Sequence, residues 1–204
     1  MQLHEALDQL SEIRIQIART ESFRGYRSAT AAFSGLVAIV AATVQSVAVP
    51  EPAADPRGYL LLWVTAAILC VAVTGVEMAV RCRRAASPTA VRMTWLAVEQ
   101  FLPCTIAGAV LTFVVALRTP QSVWLLPGLW SILFSLGVFA SRRLLPRQVV
   151  WVGVYYLVCG AFALAFAQGA AAFCPWVMGS LFGGGQLLTA TVLYLPLERN
   201  HGRE

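Results

Sequence analysis

In the stretch Val98-Glu99-Gln100-Phe101-Leu102-Pro103-Cys104, a carboxylate stands beside an amide, and a proline follows four residues after the carboxylate. The surrounding run is apolar enough to cross a bilayer. Proline has no N–H, so in a helix the carbonyl of Glu99 loses its usual donor and the backbone bends readily there. Glu99 therefore offers an acidic side chain and a carbonyl without its helical partner at one level of the membrane. An ionisable group at such depth costs a few kcal/mol or more unless it meets a protein interior, water or a partner. Binding a proton or a small polar solute is one use of such a group. A hydrogen bond that only fixes helix packing is the other.

The second carboxylate at membrane depth is Glu77, at i, i+4 from Arg81, a spacing that favours a local ion pair reaching toward the cytoplasm. Helical rise puts Glu77 about 6 Å deeper than Arg81 and Glu99 about 10 Å deeper than Arg92, so both belong to the inner half. Ser135, Tyr155 and Tyr156 fall at comparable depth, with Gln186 near the middle of the last apolar segment. If these side chains converge with Glu99 and Gln100, they line a polar pocket open toward the cytoplasm. Glu77 and Glu99, if they met, would share a proton. Just before Gln186 come Gly179, Gly183, Gly184 and Gly185, either a thin wall beside a substrate path or a surface for close helix packing.

Composition excludes much other chemistry. The chain has 204 residues, 58% of them hydrophobic and only 12% charged, whereas a soluble domain is typically about 25% charged. All fifteen basic residues are Arg, so a lysine Schiff base or nucleophile is impossible. The histidines are His4 and His201, near the two ends of the chain, which removes paired-histidine haem ligation within the membrane and an HExxH zinc site. Asp8 and Asp55 both lie outside the apolar segments, so an intramembrane aspartyl pair cannot be built. There is no GxSxG elbow and no phosphate loop with its lysine. Cys70, Cys82, Cys104, Cys159 and Cys174 show no CxxC or metal spacing and read as small buried hydrophobes. No cofactor or metal is expected, and the arginines beside helix ends anchor topology rather than bind nucleic acid.

The elements that must position Glu99 and Glu77 follow from hydropathy and charge. Over residues 1–22, Leu3, Leu7, Leu10, Ile13 and Ile17 share one helical face. Acids dominate the other face, which favours docking on protein, either a cytoplasmic partner or a second copy, over lying on lipid. Residues 23–27 form an interfacial belt of aromatic and arginine side chains. Six apolar spans follow, at about 29–48, 59–78, 94–117, 123–140, 149–166 and 176–195, each near the length that a hydrocarbon core of about 30 Å demands. Arg81, Arg83 and Arg84, then Arg142, Arg143 and Arg147, mark two cytoplasmic loops, so both termini are cytoplasmic by the positive-inside rule. The reading is an all-α polytopic membrane protein with six transmembrane helices in three hairpins. Residues 1–27 form the amphipathic helix and anchor, 28–197 the bundle, and 198–204 a short tail.

The third and fourth spans also resemble the fifth and sixth. Trp95, Glu99 and Gln100 have the spacing of Trp151, Tyr155 and Tyr156, and Pro127, Leu133, Phe134 and Gly137 lie on Pro175, Leu181, Phe182 and Gly185 without a gap. Two functions remain open. One is a small carrier or permease-like protein that binds a proton or polar solute through Glu99, with Gln100, Glu77 and Gln186. The other is a non-transporting membrane subunit or sensor that docks a cytoplasmic partner through its first helix. Glu99→Gln should abolish the first activity, and Leu7→Asp with Leu10→Asp the second.

Overall fold

The computed structural model describes residues 26–84, 88–144 and 147–201. The amphipathic segment with Leu3, Leu7, Leu10 and Ile17, expected to dock a partner, lies outside the described residues, as does the end of the tail. Helix α1 spans Tyr26–Ala48, α2 Pro56–Arg84, α3 Pro88–Arg118, α4 Leu126–Ala140 and α5 Val149–Phe166. The sixth span is composite: α6 (Pro175–Met178), a π-helical turn (Gly179–Gly184) and α7 (Gly185–His201). No strand occurs among the described residues. Among the described residues six helical segments are long and apolar enough to cross a membrane, and their bounds agree closely with the hydropathy reading.

Proline sets several helix starts. Pro56 and Pro88 open α2 and α3, Pro127 lies in the first turn of α4, and Pro175 opens α6. A missing N–H costs nothing in a first turn, where the donor has no intrahelical partner. Asp55 adds a cap to α2, its Oδ1 accepting from the Gly58 N–H at 2.9 Å. Pro103, by contrast, lies inside α3, which continues through it to Arg118. The fourth span opens earlier than expected, with a 3-10 turn at Pro120–Leu125 before α4. The π-helical turn also departs from a plain span. Glycine, free of Cβ crowding, tolerates the wider register there.

The tightest helix pairs are α4 with α5 and α1 with the sixth span. Small residues account for both. A Cβ on Gly128 would come within 2.9 Å of the Gly160 carbonyl, and one on Gly160 within 2.9 Å of the Gly128 carbonyl, so the α4 and α5 backbones nearly touch. Ser131 and Ser135 of α4 then donate to the Tyr156 and Gly153 carbonyls at 2.7 and 2.9 Å. A Cβ on Gly35 of α1 would lie 3.2 Å from the Gly183 carbonyl.

Two apolar cores result. At the arginine-poor end, Ala38, Ala41 and Ala42 meet Tyr59, Leu60, Trp63, Val115, Leu126, Phe173 and Met178. Gln45 ties this core together: it accepts from Trp63 Nε1 at 2.8 Å and donates to the Phe173 carbonyl at 2.7 Å. At the arginine-rich end, Val138, Val149, Val152, Tyr156 and Leu193 pack with Phe101, Phe134 and Phe182.

Candidate functional site

The π-helical turn gathers several of the residues that the spacing singled out. Tyr155 donates its hydroxyl to the Ser180 carbonyl at 2.6 Å. A Cβ on Gly184 would lie 2.7 Å from the Tyr155 oxygen, and one on Gly185 2.4 Å from Cζ of Tyr156. Both glycines therefore make room for α5 rings. Gly179 and Gly183 turn toward α1, where Cβ atoms would meet Ala42 and Ile39 at 3.1 and 3.0 Å. The Gln186 amide stands beside the Tyr156 hydroxyl, which is wholly buried and makes no well-formed hydrogen bond. Phe134 and Phe182 flank the Tyr156 ring at 4.6 and 5.7 Å between centroids. Tyr155, Tyr156, Gln186 and the glycines thus converge on a filled aromatic contact.

That contact has a counterpart one hairpin earlier. Phe101 of α3 packs edge-on against Phe134 at 5.1 Å, and a Cβ on Gly137 would lie 2.5 Å from it. Tyr156 occupies the corresponding place beside Phe182 and Gly185, with its ring tilted at 50° to that of Phe182 and the centroids 5.7 Å apart. In both units a 3-10 turn precedes a helix whose first turn carries proline, Pro127 or Pro175. The sequence register pairs Tyr156 with Gln100, one residue before Phe101, so the contact recurs with a shift of one position.

Glu77 belongs to a different place. It is half-buried on α2, and its Oε2 accepts a hydrogen bond from Thr30 of α1. Both residues line a shallow depression of about 240 Å³ with Ala29, Phe33 and Val73. One turn away, Cys70 of α2 meets Ser34 of α1. This seam, toward the arginine-rich end, is separate from the tyrosine–glycine contact.

Glu99 lies outside both groups. Its side chain is exposed on α3, in one stripe with Trp95, Leu102, Ile106, Val110, Phe113 and Leu117. Trp95 is 65% exposed and Phe113 66%. The spacing of three and four residues makes this a single helical face. The opposite face carries Ala97, Phe101, Leu111, Thr112 and Val115 into the bundle, with Trp130 Nε1 donating to Thr112 at 2.8 Å. Gln100 sits between the two faces, half-buried, and its enclosed Oε1 has no hydrogen-bond partner. Only 6% of the third span is buried within the chain, against 44% of the fourth.

Sequence reading missed three contributors. Gln45 is the amide of the first span, Thr30 the hydroxyl facing Glu77, and Ser131 lies one turn before Ser135 on the α4 face. Each was detectable as a polar residue in an apolar run, the usual mark of an interhelical bond. No group of histidine, cysteine and carboxylate side chains suited to a metal occurs among the described residues.

These features define a multi-pass helical membrane protein built on six apolar spans. No protein-family model, curated protein or solved structure matches the chain.

Proposed function

We propose that this chain is a non-transporting membrane subunit that assembles laterally with another membrane helix, α3 being the docking face. One observation carries this reading: Glu99 points outward on the least buried of the six spans. A carboxylate facing hydrocarbon costs a few kcal/mol, and a partner covering the Trp95–Leu117 stripe removes that cost. The first helix, with Leu3, Leu7, Leu10 and Ile17, docks a cytoplasmic protein in the same scheme, so the subunit links a membrane partner to a soluble one. The test is photo-crosslinking in host membranes from a benzophenone amino acid at Trp95 or Ile106, with Val152 as the buried control. Discrete adducts from the outward positions, lost with Glu99→Leu, are expected. Lipid adducts alone would overturn lateral assembly.

The Glu77–Thr30 seam favours a second reading, the small carrier that binds a proton or polar solute in an inner-facing cavity. A half-buried carboxyl beside a depression of about 240 Å³ is what supports it. Proteoliposomes under a pH gradient decide it. Proton or solute flux abolished by Glu77→Gln favours the carrier, and absence of flux in the unaltered protein removes it.

A further inference from the structure

The Glu99 level of α3 presents acceptors without donors. Glu99 contributes its exposed carboxylate, and its carbonyl is denied the helical N–H by Pro103. The two acceptors of Glu99 call for a group with several N–H donors and a positive charge. None of the described residues provides one at that depth. Every basic residue is Arg, and none lies within α3 between Arg92 and Arg118. Arg92 is itself exposed two turns away, about 10 Å along the helix. A second copy inserted in the same direction brings its arginines to the same unsuitable levels, because on its other spans they lie beyond the ends or, like Arg57, one residue inside the end far from Glu99.

We infer that the α3 face takes a transmembrane helix from a different protein, bearing an arginine or lysine at the level of Glu99. This inference rests on the lateral-assembly reading above and names the chemistry of its partner. The arginine fork meets the carboxylate, a further N–H of the guanidinium is available to the Glu99 carbonyl, and the apolar remainder of the partner covers Leu102, Ile106 and Phe113. Charge neutralisation within hydrocarbon supplies the specificity that apolar contact alone lacks.

The test uses the full chain in phosphatidylcholine vesicles and synthetic leucine helices of about 25 residues. One peptide carries Arg about six residues from each end, so that either insertion direction presents a charge at the Glu99 level. A second carries Lys at those positions, and a third is all leucine. Energy transfer between labelled chain and peptide reads binding. The Arg and Lys peptides are expected to bind about tenfold tighter than the leucine peptide. Glu99→Gln should bring all three to the leucine level without changing the helix content of the chain. Equal binding of the three peptides, or transfer between copies of the chain that excludes the Arg peptide, overturns the cationic partner. Crosslinks from Trp95 in host membranes, found together with equal peptide binding, would leave lateral assembly standing while this inference falls. Lipid adducts alone would sink both.

Discussion

The ring of Tyr156 occupies the space that a side chain on Gly185 would fill, with Cζ 2.4 Å from the position of its Cβ. Tyr156 is wholly buried there between Phe134 and Phe182, within the apolar core at the arginine-rich end. The meeting of the fifth and sixth spans thus depends on the absent side chains of Gly184 and Gly185.

Gly185→Ala is therefore expected to destabilise the bundle by about 1–3 kcal/mol, the usual range for overpacking a close-packed site. Gly75 gives the internal contrast. A Cβ there meets nothing within 4 Å, so Gly75→Ala should be neutral or stabilise by about 0.5–1 kcal/mol through helix propensity. Thermal unfolding of both variants in one detergent checks the pair, and equal effects would refute the steric account.

Gln45 bridges the Trp63 indole and the Phe173 carbonyl from a fully buried position. Gln45→Leu keeps most of the volume but strands one donor and one acceptor in an apolar core. A loss of about 2 kcal/mol is expected, since each orphaned buried group costs about 1–3 kcal/mol and part is regained by relaxation. Hydrogen exchange should rise at both ends of the network, near Trp63 and near Phe173. A rise at one end alone would mean that the two bonds are not coupled through Gln45.

Glu99→Leu is expected to leave the unfolding temperature of the isolated chain unchanged or raised, because the side chain is exposed on α3 rather than packed in the core. The same substitution should abolish crosslinks from Trp95 and Ile106. A large loss of stability in the purified protein would place Glu99 inside an intramolecular contact and remove the docking account.

Leu7→Asp with Leu10→Asp should leave the six-span bundle folded and disconnect it from any soluble partner. Ultracentrifugal separation of membranes reads this directly: a cytoplasmic protein that co-sediments with the unaltered chain is expected in the supernatant of the variant. Its continued co-sedimentation would move the docking site away from residues 1–22.

Much of the architecture was legible in the linear order of residues. Span number and bounds follow from runs of apolar side chains matched to bilayer thickness, which needs no knowledge of neighbours. The proline-marked starts of α2, α4 and α6 were equally local. The aromatic repeat was half legible: Phe134 with Gly137 and Phe182 with Gly185 stood out by spacing, while their ring partners, Phe101 and Tyr156, differ by one position in the sequence register. The polar pocket around Glu99, Ser135, Tyr155, Tyr156 and Gln186 assumed that polar residues at one depth turn toward one another. Ser135 instead bonds the Gly153 carbonyl, the tyrosines and Gln186 meet the glycine turn, and Glu99 faces away.

Hydropathy and charge along the chain were enough to place six apolar spans long enough to cross a membrane, with carboxylates within them at Glu77 and Glu99. Which way each span faces is set by packing between the helices. In water, a helix reveals its buried face by the contrast between apolar and polar sides. In a bilayer, lipid is as apolar as the core, so hydropathy cannot distinguish the face of α3 that carries Phe101 inward from the face that carries Glu99 out. That choice is made by shape: Gly137 leaves room for Phe101 and Gly185 for Tyr156, while no such recess receives the Glu99 side of the helix.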